Sequence, residues 1–109
     1  MKLIMAIVQD ADADRLTTAL AKENFRSTKL ASTGGFLGSG NTTLLIGTED
    51  EAVEAVLAVI RRLCRSREQT AAPAVPMGLG PETFIPVPIE VTVGGATIFV
   101  LAVDQFVKI

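Results

Sequence analysis

Six consecutive apolar residues, Leu3 to Val8, stand between Lys2 and Gln9-Asp10. A run of that length, rich in Ile and Val, predicts a central strand covered on both faces. Asp10 or Asp12 then caps a predicted helix running to about Lys22, with Leu16 and Leu20 one turn apart on its inner face and Asn24 as its stop. From Phe25 to Thr33 the pattern turns loosely to period two. Arg26, Thr28 and Leu30 share one side; Ser27, Lys29 and Ala31 share the other. Residues 34–40 make a short glycine-rich turn, and Asn41 to Gly47 returns as the partner strand. With Thr33 facing Thr42 across that turn, Thr28 falls about opposite Gly47. A glycine there marks either a bulge or the close approach of a ligand or another backbone.

Thr48-Glu49-Asp50-Glu51 matches a capping box ahead of a second helix. In it Val53, Val56, Leu57, Ile60, Leu63 and Cys64 recur at helical spacing, and Arg61, Arg62 and Arg65 suit the negative end of the helix dipole. A long loop of about 66–87 follows, with Pro73, Pro76, Pro81 and Pro86. It also carries Met77, Leu79, Phe84 and Ile85, which a plain linker would lack, so it reads as a segment that folds over a neighbour or a ligand. The stretch PIEVTVGGATIFVLAVDQF then reads as a C-terminal β-hairpin turning at Gly94-Gly95. The sum is one α+β domain over residues 1–109, a ferredoxin-like βαββαβ sandwich with a C-terminal β-hairpin. Two helices cover one face of such a sheet. Leu3–Val8 and Ile98–Val103 are apolar on both sides, so other copies of the chain are expected over the second face.

Composition points the same way. Apolar residues make up 49% of the 109, with a mean hydropathy of +0.43, rich for a small domain that must cover its own surface. The net charge is −2 with Lys and Arg scattered, which argues against a grip on DNA or RNA. There is no histidine and one cysteine, Cys64, which excludes Cys/His zinc sites, Ser-His-Asp triads and internal disulfides. The opening apolar run is too short for a signal sequence or a membrane span, so a cytoplasmic protein is expected. Asp10, Asp12 and Asp14 lack the glycine and distal glutamate of a calcium loop. The stretch GFLGSGNT, Gly35 to Thr42, mimics a phosphate loop with Asn41 for lysine, but a strand follows it where a helix is required. No paired carboxylates and no nucleophile–base pair support an enzyme.

The candidate chemistry lies between Asn24 and Gly47. The backbone N–H groups of Gly34, Gly35, Gly38 and Gly40 are uncovered by side chains and suit an anion. Arg26 offers a cation, Asn24 and Asn41 carboxamides, and Thr28 a hydroxyl. Phe36 and Leu37 on the turn fit either a turn folded against its own sheet or a subunit, or a surface for a flat base. Together these groups suit a phosphate joined to a planar base, a nucleotide pocket without catalytic machinery.

The run NFRSTKLASTGGFLGSGNTT, the opening MKLIMAIVQD, the PMG at Pro76–Gly78 and the closing VGGATIFVLAVDQF resemble the PII-like cyclic-di-AMP receptors of Gram-positive bacteria, the PstA or DarA type. The resemblance spans essentially the whole chain. It implies a PII-like homotrimer with three equivalent pockets at subunit interfaces, each taking one cyclic-di-AMP. On that resemblance Asn24, Arg26, Thr28, Gly35, Phe36, Leu37, Asn41 and Gly47 are the ligand-contacting positions, with Phe99 on the last strand a further candidate. Arg26 would pair with a phosphate, Asn41 and the Gly47 backbone would read an adenine edge, and Phe36 and Leu37 would pack on a base. The implied function is a non-enzymatic sensor that changes loop conformation for a downstream protein. This chain departs from the family at Gly38, where relatives carry a basic residue, and at Phe84, Ala102 and Val107, where they tend to have tyrosine, proline and histidine. Two other readings remain: a PII-type regulator binding ATP and 2-oxoglutarate, and a structural trimer without ligand.

Overall fold

A computed structural model describes residues 1–30, 40–71, 74–76, 84–86 and 89–109. The opening apolar run is strand β1 (Lys2–Gln9). It lies between β3 (Asn41–Thr48) and β8 (Ala96–Ala102) and is antiparallel to both; β2 (Thr28–Leu30) pairs with the outer edge of β3. The order β2-β3-β1-β8 is the antiparallel sheet of a ferredoxin-like sandwich. Helices α1 (Asp10–Lys22) and α2 (Val53–Cys64) supply the other layer.

Period two in the strands meets period 3.6 in the helices along one seam. Ile4, Ala6 and Val8 of β1 and Leu44 and Ile46 of β3 are fully buried against Leu16, Leu20, Val56, Val59 and Ile60. The alternate residues Leu3, Met5 and Ile7 are only half-buried. The strand is central as its composition predicts, but within one chain only one of its faces is covered. Leu16 is completely enclosed, so Leu16→Ala is expected to lower unfolding free energy by about 2–5 kcal/mol through lost burial plus a cavity. A smaller drop in the urea midpoint at unchanged slope would show that the site collapses around the gap.

Both helix starts differ from expectation. No side chain caps α1; its N-cap is Gln9, still paired with Asn41 in the sheet. The Asp10 carboxylate instead accepts from Thr42 Oγ1 at 2.5 Å, and its N–H donates to the Gly40 carbonyl at 3.0 Å. Thr48 is no cap either, because it closes β3 opposite Lys2. One turn of 3-10 helix (Asp50–Ala52) intervenes before α2, and the Asp50 carboxylate lies 2.9 Å from the Met1 amino group. In both cases ladder pairing outranks the local capping signal. The end of α1 is as predicted. Asn24 takes a left-handed φ of 65°. Its N–H reaches the Ala21 carbonyl at 3.1 Å while the Phe25 N–H reaches Leu20 at 2.9 Å, the two bonds of a Schellman stop. Phe25 packs on the core beside it.

Beyond α2, the described residues of the expected long loop are strand from Arg67 onward. β4 (Arg67–Ala71) pairs with β7 (Ile89–Val93), and β5 (Ala74–Pro76) pairs with β6 (Phe84–Pro86). Arg67 faces Val93, Ala71 faces Ile89, Ala74 faces Pro86 and Pro76 faces Phe84, so the two two-stranded ladders, together called the ribbon below, keep one register. Thr70 donates to Glu90 and Thr92 to Glu68, both at 2.7 Å, on opposing strands. The ribbon accounts for a radius of gyration of 18.4 Å and a long dimension of 64 Å, against about 13 Å for the radius of a compact chain this long.

The expected C-terminal hairpin is therefore absent. Gly94-Gly95 carries the chain from the ribbon into the main sheet, where the apolar β8 finds the free edge of β1. Gly94 (φ 81°) and Gly95 (φ 90°) both need the left-handed region. A Cβ on Gly94 would stand 2.6 Å from the Arg65 carbonyl and closer still to the Arg67 guanidinium. The Gly94 N–H donates to Gln9 Oε1 at 2.7 Å, and the Gly95 N–H donates to the Cys64 carbonyl. Arg67 is itself held by Asp12, at 2.9 Å. The ribbon root is thus tied to the end of β1, to α1 and to the end of α2.

Candidate functional site

Directly opposed residues on neighbouring strands point to the same face. Thr28, Leu45, Met5 and Phe99 consequently form one row across the sheet, on the side away from the helices. Leu30, Thr43, Ile7 and Thr97 form a second row, and Gly47, Leu3 and Leu101 a third. Phe99 is 51% exposed, Leu101 46% and Leu30 43%. A contiguous apolar face of this kind marks an interaction surface.

At one edge of that face, Asn24, Arg26 and Thr28 line a groove with Thr17, Ala21, Phe25 and Ser27. The Schellman stop positions it: the chain leaves α1 at Asn24 and is extended by Thr28, so Arg26 and Thr28 fall two residues apart along the same entry to the sheet. Thr28 faces Leu45 and not Gly47, a register two residues from the expected one. A shift of two keeps the same face, so Gly47 still lies on Thr28's side, one pair further along β3. Gly47 is not a bulge, because the β1–β3 pairing runs unbroken from Lys2↔Thr48 to Gln9↔Asn41. Among the described residues, nothing lies within 4 Å of a Cβ built there. No packing inside the protomer therefore calls for a glycine that weakens its strand by about 0.5–1 kcal/mol.

Asn41 is elsewhere. It begins β3 opposite Gln9 and shares a cleft with Gln9, Gly94, Gly95 and Thr97 at the ribbon root. Four residues separate it from Leu45, the partner of Thr28, which is about 13 Å along a strand. Within one protomer Arg26 and Asn41 thus sit at opposite ends of β3, and the expected single cluster is divided in two. Phe99 lies three strands from Thr28 on the open face. Gly35, Phe36 and Leu37 lie outside the described residues. Gln9 and the ribbon root beside Asn41 are additions that sequence reading missed. The alternation of Leu3, Met5 and Ile7 was the signal available for the open face.

Among the described residues, no three carboxylate or thiol groups gather where a metal ion would be held. Among the described residues, no helix is long and apolar enough to cross a membrane. Cys64 is fully buried, and desolvation first, then the Asp12 carboxylate, push its thiol up from 9.0 to about 11. The native state therefore holds the proton between those two values while the unfolded chain releases it, so stability falls as pH rises from 9 to 11. Cys64 is expected to react with a thiol reagent at pH 8 only after denaturant is added, and Cys64→Ala is expected to flatten the decline in urea stability over that range. Rapid native labelling would contradict the enclosure.

The whole chain, residues 1–109, matches the family model described as cyclic-di-AMP receptor. It is also similar to a solved structure, that of a functionally unknown protein from Pediococcus pentosaceus ATCC 25745. The two are 46% identical over 99% of this chain and 96% of that one, with a TM-score of 0.75. With two helices on one face of an antiparallel sheet and a family match from its first residue to its last, the chain belongs to the cyclic-di-AMP receptor family.

Proposed function

We propose that this protein is a non-enzymatic cytoplasmic receptor that binds cyclic-di-AMP at the seams of a PII-like homotrimer. The observation that carries the proposal is the open apolar sheet face with the Arg26 groove at one end and the Asn41 cleft at the other. Copies packed over that face bury Phe99, Leu101 and Leu30, and they set the polar ends of neighbouring protomers against each other. Arg26 then pairs with a phosphate, and Asn41 and the open backbone at Gly47 read adenine edges. Asn24 and Thr28 complete the polar lining, with Gly35, Phe36 and Leu37 closing over the base.

The same arrangement supplies a route to a response. Asn41 shares its cleft with Gln9 and Gly94, and Gly94 begins the step from ribbon to sheet. A ligand held at Asn41 favours the ribbon position that leaves its contacts intact, which selects one conformation over others. A downstream protein then meets an altered ribbon. A calorimetric panel of cyclic-di-AMP, ATP and ATP with 2-oxoglutarate tests the reading. Saturation by one cyclic-di-AMP per chain is expected, with no comparable heat from ATP. Preference for ATP would establish the PII-type alternative, and silence from every nucleotide would leave a structural trimer.

A further inference from the structure

On the helix layer, away from the open sheet face, a groove follows the seam between α1 and α2. Its floor is apolar, formed by Ala19 and Leu63, both packed on the core. At one end Arg15, Arg62, Arg65 and Arg67 converge around Leu63. These four cations come from three elements, α1, the end of α2 and the start of β4. Stabilising the end of α2 would require only its own arginines, so that role does not account for the gathering. Lys22 adds a fifth cation farther along.

The acidic groups nearby are mostly engaged. Asp12 is buried beneath the cluster and holds Arg15 at 2.8 Å and Arg67 at 2.9 Å. Asp14 faces Lys29 at 3.3 Å. Glu23 meets Arg62 only at 3.8 Å, and Arg65 has no ion pair among the described residues. The groove is thus net positive on a chain whose total charge is −2.

We infer that this groove docks an acidic, amphipathic segment of a partner protein, its apolar side chains over Ala19 and Leu63 and its carboxylates among the arginines. Charge complementarity selects the occupant, because a basic or neutral segment would leave Arg62 and Arg65 facing like charge or nothing. The apolar floor of Ala19 and Leu63 offers a bare anion no favourable contact. The groove lies on the opposite layer from the apolar sheet face, so it stays open when that face is covered. Arg67 enters the cluster from the ribbon root, and a shift of the ribbon alters the charged end of the groove. That coupling rests on the receptor reading above; the groove itself does not.

The test pans a random displayed peptide library against the intact protein and measures recovered peptides by fluorescence anisotropy, using wild type and the Arg62→Glu/Arg65→Glu double variant. Both arginines are exposed, so the fold is kept, and circular dichroism checks it. Enrichment of acidic sequences with apolar anchors is expected, with binding about tenfold or more weaker in the double variant. Recovery without acidic bias, or equal affinity for both proteins, overturns the inference. Full displacement of the peptide by inorganic phosphate at matched ionic strength also overturns it, in favour of a bare anion site. Cyclic-di-AMP calorimetry on the same two proteins keeps the readings apart. A wild type that binds no cyclic-di-AMP defeats the receptor proposal alone, while the peptide result still decides the groove.

Discussion

Arg26→Ala is expected to abolish measurable cyclic-di-AMP binding in calorimetry while leaving the proposed assembly and the melting behaviour of the protein unchanged. Arg26 is exposed, makes no ion pair among the described residues and is absent from the core, so its removal leaves the fold intact. What it removes is, among the described residues, the one cation in a groove otherwise lined by neutral polar and apolar groups. Truncating one partner of a desolvated, hydrogen-bonded charge pair costs about 2–5 kcal/mol, or roughly thirty- to several thousand-fold in affinity. Arg26→Lys retains the charge and loses the planar fork, so it recovers part of the affinity. Asn41→Ala is expected to weaken binding less, by about 1–3 kcal/mol, through an unmet base edge. Undiminished affinity in both alanine variants would place the ligand elsewhere.

Phe99→Glu is expected to separate the subunits of the proposed trimer. Phe99 is half exposed in the protomer and shares its row with Met5, Leu45 and Thr28 in the middle of the open face. A carboxylate buried there without a partner costs several kcal/mol per copy, and the symmetry of a closed ring repeats that cost at every seam. Light scattering coupled to size exclusion is expected to report protomers for Phe99→Glu and a trimer for wild type. Far-UV circular dichroism is expected to match, since the helix-side core does not include Phe99. Cyclic-di-AMP binding is expected to disappear with the assembly, because in the proposed arrangement each pocket takes groups from two copies. A Phe99→Glu protein that remains trimeric would show that the open face is not the seam.

How much of this was legible in the sequence depended on whether local pattern and tertiary pairing agreed. Leu3–Val8 reads as a central strand because a short unbroken Ile/Val-rich run calls for cover on both faces, and Val53–Cys64 as a helix because its period states which face is buried. The Thr48 cap failed because that signal is local, whereas its pairing with Lys2 depends on a strand more than forty residues away in the chain. Gly94-Gly95 demands positive φ in a hairpin and in a sheet-to-sheet step alike, so the dipeptide alone could not say which partner β8 would choose. The ribbon was hidden by composition. Arg67-Glu68-Gln69-Thr70 shows no apolar alternation, and the prolines around it read as loop. Arg26 and Thr28 were placed together because two residues of extended chain fix their spacing. The separation of Asn41 from them within one protomer was not legible, because it is set by strand register, which no short window contains.

The ribbon's constant pairing has a consequence for how its length can change. Removing one residue from a single arm would reverse the alternation beyond that point and break the pairing of Ala74 with Pro86 and Pro76 with Phe84. Matched removals, one pleat from each arm, would shorten the projection and preserve its two surfaces. Its reach is thus adjustable in paired steps of about 7 Å, and the length of the projection becomes a property that can be altered without redesigning the body that carries it.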